Sequence, residues 1–265
     1  MYYQIIPKRD YQFSLENTIM LFKNIGSARE KLTLKNIFAG AFNYKYIIDC
    51  DKDNRINFYL WISDSVNQDA AVNAVTVWLA NKAVVFKSNA VLKEYSVVDT
   101  LYDYESAGGK NKKLSAFTNE TVFMNILAML QPRTRIVIGF RVTDISLKEK
   151  NNFRFGRGGT DVEIEALIQV SGDSKYSRTN VMNIAGSICS LTADERRLSV
   201  KFKNKFMPIK LSGSEFANIF QLPTLFRKDE DTVKRINYLF PGQITLNEDE
   251  YKEGIYVGKN YHPVQ

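Results

Sequence analysis

The hydrophobic positions change period several times along the chain, and each change marks an element. Tyr3 to Ile6 reads as a short strand ended by Pro7. A helix is predicted next, with Ser14 able to cap it, Leu15, Ile19 and Phe22 on one face, and Gly26 stopping it. A β-rich stretch runs from Leu32 to Ile48. After the turn Asp51-Lys52-Asp53-Asn54 comes strict alternation: Ile56, Phe58, Leu60 and Ile62 face one way, Asn57, Tyr59 and Trp61 the other. Ser65 and Gln68 have the spacing of a capping box. They precede Ala71, Ala74, Val75, Trp78 and Leu79 at helical spacing. Val84 to Val91 closes a β-α-β-β-α-β unit.

The order then repeats. Val97 to Tyr102 reads as a strand, and Asn119 can cap a helix carrying Phe123, Ile126, Leu127 and Leu130, ended by Pro132. Ile136, Ile138, Phe140 and Val142 alternate; so do Val162, Ile164, Ala166, Ile168 and Val170, opposite Glu163, Glu165 and Gln169. Ser177 can cap a helix with Val181, Ile184, Ala185, Ile188 and Cys189 inward, and Leu198, Val200 and Phe202 make the last strand. The pattern predicts an α+β protein of two tandem ferredoxin-like (βαββαβ) subdomains with antiparallel sheets, residues 1–95 and 96–210. The boundary falls near Glu94 to Lys113, where Gly108-Gly109-Lys110-Asn111-Lys112-Lys113 looks like an exposed loop. A C-terminal extension, 211–265, opens with a capping box of Ser212 and Glu215 ahead of Phe216, Ile219 and Phe220, and Leu222-Pro223 ends that helix. Beyond it the chain is turn-rich, with Pro241-Gly242 a turn signal. The chain stops at His262-Pro263-Val264-Gln265 with nothing to close it, as if the protein continued.

Composition narrows the function classes. With 45% apolar and 25% charged residues over 265 positions, the chain can bury a real core. No apolar run reaches the roughly 18 residues of a spanning helix, and Met1-Tyr2-Tyr3-Gln4 lacks a signal-peptide plan. Association with a membrane would therefore be peripheral or through a partner. Two cysteines and one histidine exclude a disulfide framework, a multi-thiolate zinc site and a histidine-based triad. Lys and Arg number 36 against 29 Asp and Glu, a net +7 that favours phosphate backbones, anionic surfaces or acidic partners.

Candidate chemistry is sparse. Gly156-Arg157-Gly158-Gly159-Thr160 suggests a phosphate loop, but a P-loop needs Lys followed by Ser or Thr, and here Asp161 and a strand follow. The surrounding hairpin interleaves Lys148, Lys150, Arg154 and Arg157 with Phe153 and Phe155. Rings and cations together suit a single strand of nucleic acid or a protein interface. Lys110, Lys112 and Lys113 of the glycine-rich loop join them as candidate contact residues. Cys189 sits on an apolar stripe and Cys50 beside an acidic turn, neither with a cation to lower its pKa. His262 has no partner for acid–base or ligand chemistry. Trp61 and Trp78 are explained by sheet and helix packing. No catalytic, cofactor-binding or metal-ligating constellation emerges.

Leu211-Ser212-Gly213-Ser214-Glu215-Phe216-Ala217-Asn218-Ile219-Phe220-Gln221-Leu222-Pro223-Thr224 resembles the "S-x-x-E-[LF]-A-x-[LI]-[FH]-x-L-P-T" stretch of conjugative-transfer ATPases of the FtsK–HerA superfamily. These are the motors of type IV secretion and plasmid mobilisation. Gly254 to Pro263 looks like the strand those proteins place before their motor domain, and the regions around Phe58 to Val91 and Phe117 to Pro132 are similar to their N-terminal regions. The chain ends before any P-loop, so none of the family's ATPase residues has a counterpart here. The resemblance implies a cytoplasmic, non-catalytic N-terminal domain, peripheral at the inner face of the cell membrane. It would dock a motor to the proteins of a transfer channel and support a ring. ATP and Mg would belong to the absent motor domain. The rival readings are a basic module for single-stranded or duplex DNA and an enzyme with an unfamiliar carboxylate site.

Overall fold

Strands form where the sequence alternates, and helices form between them. The computed structural model describes residues 1–7, 11–27, 42–79, 83–89, 92, 95–104, 121–144, 162–173, 177–191, 197–201 and 208–223. The elements are β1 (Tyr2–Pro7), α1 (Leu15–Ser27), β2 (Tyr44–Cys50), β3 (Ile56–Ile62), α2 (Gln68–Leu79), β4 (Ala83–Ser88) and β5 (Val97–Tyr104). They continue with α3 (Thr121–Ala128), β6 (Thr134–Asp144), β7 (Glu163–Gly172), α4 (Ser177–Leu191), β8 (Arg197–Lys201), β9 (Ile209–Ser212) and α5 (Gly213–Phe216).

The α+β class and the antiparallel pairing agree with the sequence, but the expected two sheets are one. The described strands run β4-β1-β3-β2-β6-β7-β5-β8, all antiparallel, with β9 also on β7. The seam is β2 against β6, in register from Tyr44↔Phe140 to Cys50↔Thr134. Composition explains the join. On β2, Tyr44, Tyr46, Ile47, Ile48, Asp49 and Cys50 are all buried, so both faces of the strand are covered. Such a strand is an inner one, and left at an edge it would invite unwanted pairing. At the end of the seam the Arg133 amide donates to the Cys50 carbonyl at 2.8 Å.

One apolar cluster lies under the helices and crosses the seam. It includes Leu21, Phe22 and Ile25 of α1, Val75 and Trp78 of α2, Phe123 and Ile126 of α3, and Val181, Ile184 and Ile188 of α4. The same cluster takes Tyr46, Phe58, Ile138 and Ile168 from the sheet. The cluster thus draws on residues from both before and after position 95.

Local expectations shift at three places. On α1 the buried side is Thr18, Leu21, Phe22 and Ile25, about one position round from the predicted face, and Gly26 lies inside the helix. The hydroxyl of Thr18 explains the turn: it donates to the Ser14 carbonyl at 2.8 Å and accepts from Trp78 Nε1 at 3.0 Å. On α2 the cap is Asn67, not Ser65. Asn67 Oδ1 accepts from the Ala70 amide at 3.1 Å, while the Ser65 hydroxyl pairs with that of Ser63. The third shift is after Ser212. The capping box forms, with Ser212 Oγ accepting from the Glu215 amide and Glu215 Oε2 from the Ser212 amide at 2.7 Å. The helix then lasts one turn, because Phe216 to Pro223 is buried on every side rather than along a stripe.

Candidate functional site

Two clusters stand out from the general core, one on each face of the sheet. Under the helices, the segment from β9 through Pro223 fills the middle of the molecule. β9 pairs with the first half of β7, Glu163↔Ser212 to Ala166↔Ile209. Phe216 and Phe220 then enter the space between α1, α2 and the seam. Phe220 lies 4.8 Å from the Tyr46 ring, 5.2 Å from Phe22, 5.4 Å from Trp78 and 5.4 Å from Phe140. Phe216 lies 5.1 Å from Phe140 and 5.3 Å from Phe22. The Tyr46 hydroxyl donates to the Gln221 carbonyl at 2.6 Å across 175 residues. Burial pushes the Tyr46 phenol well above its usual pKa, so it stays a donor. Ile219 reaches toward α3 and α4, where it borders a small apolar void with Phe123, Ile136, Ile168 and Ile188. That void is about 10 Å³ and carries no polar lining, too small and dry for a ligand.

On the opposite face, Asp49 and Arg135 face each other across the seam. Arg135 Nε donates to Asp49 Oδ1 at 2.7 Å, and both residues are 7% exposed. The Arg135 guanidinium stacks over the Tyr95 ring at 4.5 Å. Burial raises the Asp49 carboxyl above its usual value despite the attraction of Arg135. Geometry this close keeps the pair matched: the carboxylate has a charged donor and the guanidinium a carboxylate and a ring. A polar ladder continues along this face, with Arg141 Nη2 to Glu165 Oε2 at 2.5 Å and Lys210 Nζ to Glu163 Oε1 at 3.5 Å. These are mutually satisfied groups, with no nucleophile set beside a base. Among the described residues, no group of three or more His, Cys, Asp or Glu could hold a metal. No described helix is long and apolar enough to cross a membrane.

The candidate contact residues Lys110, Lys112, Lys113, Lys148, Lys150, Phe153, Arg154, Phe155 and Arg157 lie outside the described residues, as do His262 and the segment from Thr224 to Gln265. Cys189 is half-buried against the core, and desolvation pushes its thiol up to about 11. Cys50 is buried, its Sγ 3.5 Å from Asn54 Oδ1. The sequence reading passed over Asp49, Arg135 and Tyr95. The signal is a buried charge near the end of β2 facing an opposite charge on β6, visible once the two strands are known to pair. No protein-family model matches the chain, and neither does any curated protein.

Proposed function

We propose that this chain is a non-catalytic assembly and docking domain, the N-terminal part of a conjugative-transfer ATPase. In this reading it is two ferredoxin-like units fused edge to edge, and its task is to hold a following motor against the proteins of a transfer channel. One observation carries the reading. The stretch that resembles the family, Leu211 to Pro223, is built into the core by the capping box, the β7 pairing and the Tyr46–Gln221 bond. A chain leaving Pro223 therefore starts from a fixed point, as transmission of position or force to a neighbouring domain requires. The strand order supports the fold part of the reading: β4-β1-β3-β2 and β8-β5-β7-β6 are the same order, met at their second strands. The domain would work in the cytoplasm, peripheral to the membrane through its partners, with ATP and Mg confined to the motor.

The gene beyond Gln265 tests this most directly. The expected continuation carries a glycine-rich loop with Lys-Ser or Lys-Thr, opening a helix after a strand. A stop codon at that point, or a continuation without such a loop, overturns it.

A further inference from the structure

The sheet face of the first half that no described helix covers carries a line of partly exposed rings. Alternation puts Tyr3, Ile5, Val85 and Ala83 on the core side of β1 and β4. Tyr2, Gln4 and Ile6, with Val84, Phe86 and Ser88, therefore face away. On β3 the outward residues are Asn57, Tyr59 and Trp61, and on β2 Lys45, Ile47 and Asp49. Tyr59, Ile47 and Asp49 are buried, so the accessible strip is the row through Tyr2, Trp61 and Lys45 with Val84 and Phe86 beside it. Register aligns Ser88, Tyr2, Trp61 and Lys45 on four adjacent strands. Phe86 stands one step along, opposite Gln4. Phe86 is 41% exposed and Val84 36%, while Tyr2, Trp61 and Lys45 are half-buried. Lys45 Nζ sits 4.9 Å from the Trp61 ring.

We infer that this face is a stacking platform for a single strand of nucleic acid. Three features carry it. Tyr2 and Trp61 are register partners on neighbouring inner strands, whose backbones lie roughly 4.8 Å apart, so both rings project from one face where unstacked bases can lie. Four-stranded sheets with helices behind them bind single strands through aromatic residues on an open face. The charge also fits: among the twelve outward positions named above, the sole carboxylate is Asp49, matched by Arg135, and the cation Lys45 flanks the rings. In a chain of net +7 that face meets phosphate without repulsion. Gln4 Nε2 bonds to Asn57 Oδ1 at 3.4 Å, so the flanking amides are engaged with each other and the platform holds bases without reading their sequence. A folded protein partner would be recognised through the same rings, but the binding it predicts has no dependence on a polyphosphate chain. The inference stands apart from the docking reading and uses residues that reading leaves idle.

The test is fluorescence anisotropy of labelled (dT)20 and (rU)20 with the whole 265-residue chain, against a duplex of mixed sequence, over a range of salt. Both single strands are expected to bind more tightly than the duplex, with affinity falling as salt rises. Trp61→Leu keeps an apolar strand residue but no stacking surface, and is expected to weaken binding about tenfold. Lys45→Gln touches no core contact and is expected to lower the salt slope by about 0.7. Binding of one strand type alone, still lost in Trp61→Leu, supports the platform and identifies the sugar it takes. No binding of either single strand near 50 mM salt overturns the inference. So does binding that both variants leave unchanged, or a duplex bound as tightly as the single strands. Circular dichroism melting of each variant separates loss of the platform from loss of the fold.

Discussion

Replacing Phe220 by Ala asks whether the two halves share one core. The ring is 1% exposed and is surrounded by Tyr46 on β2, Phe22 on α1, Trp78 on α2, Phe140 on β6 and Phe216 on its own segment. These neighbours belong to both halves of the sheet, so the hole left by Ala cannot be closed by collapse of one half. Phe-to-Ala changes at such sites cost about 3–5 kcal/mol, the transfer term plus the cavity. Whole domains are stable by about 5–15 kcal/mol, so the variant should fold but lose a large share of its margin. Urea denaturation followed by circular dichroism and tryptophan fluorescence measures this. A lower midpoint is expected, with unchanged slope and coincident probes, because the surface exposed on unfolding is the same. Phe220→Leu should lose distinctly less. A loss below about 1 kcal/mol for the Ala variant would refute the central placement of this ring. Two separate transitions in the unmodified chain would refute the shared core itself.

The remaining predictions concern other contacts. Arg135→Met leaves the buried Asp49 carboxylate without its matching charge and should cost about 3–5 kcal/mol at neutral pH, whereas a joint Asp49→Leu, Arg135→Met change should be near neutral. Because burial raises the folded pKa of Asp49, its titration stabilises the protein at low pH. The stability of the wild type relative to Asp49→Asn should therefore fall as pH rises from below the usual carboxylate value through the raised one, then level off, as urea midpoints at successive pH values would report. Cys189, with its thiol near 11, should resist iodoacetamide at pH 8 in the folded protein and react fully in urea, as read by intact mass. A Cβ on Gly139 would stand 2.7 Å from Phe42 Cδ2, so Gly139→Ala should destabilise by about 1–3 kcal/mol in thermal or urea melts. Tyr46→Phe leaves the buried Gln221 carbonyl unpaired and should cost about 1–3 kcal/mol by the same measurement.

The alternations at Ile56 to Ile62 and Val162 to Val170 were legible because each strand has one apolar face, and a period of two says which. The join between halves was not. It depends on β2, where polar and apolar positions on both faces are buried, and burial of both faces erases the period. The turn into α2 misled for a local reason: Ser65 and Asn67 are both good caps, and Ser63 engages the first. The segment after Ser212 carried a correct start signal and a false length, since Phe216, Ile219 and Phe220 fit a helical stripe and an all-round buried coil equally well. The candidate platform was half visible. The alternation puts Tyr59 and Trp61 on the strand face opposite Ile56, Phe58, Leu60 and Ile62, yet the alignment of Trp61 with Tyr2 and Lys45 needs the register of three strands. Sequence spacing directed attention instead to the lysine- and arginine-rich loops, where charge is easy to see.

The bond between Tyr46 and Gln221 spans 175 residues, and that distance has a meaning in time. Ribosomes add about 5–20 residues per second, so the tyrosine waits roughly 9–35 seconds for its acceptor to be made. Until then Phe22, Phe140 and Trp78 lack the aromatic plug that packs among them in the complete chain. Synthesis halted before residue 209 would leave that wound unclosed, which makes the young chain a client for chaperones that clasp greasy surfaces.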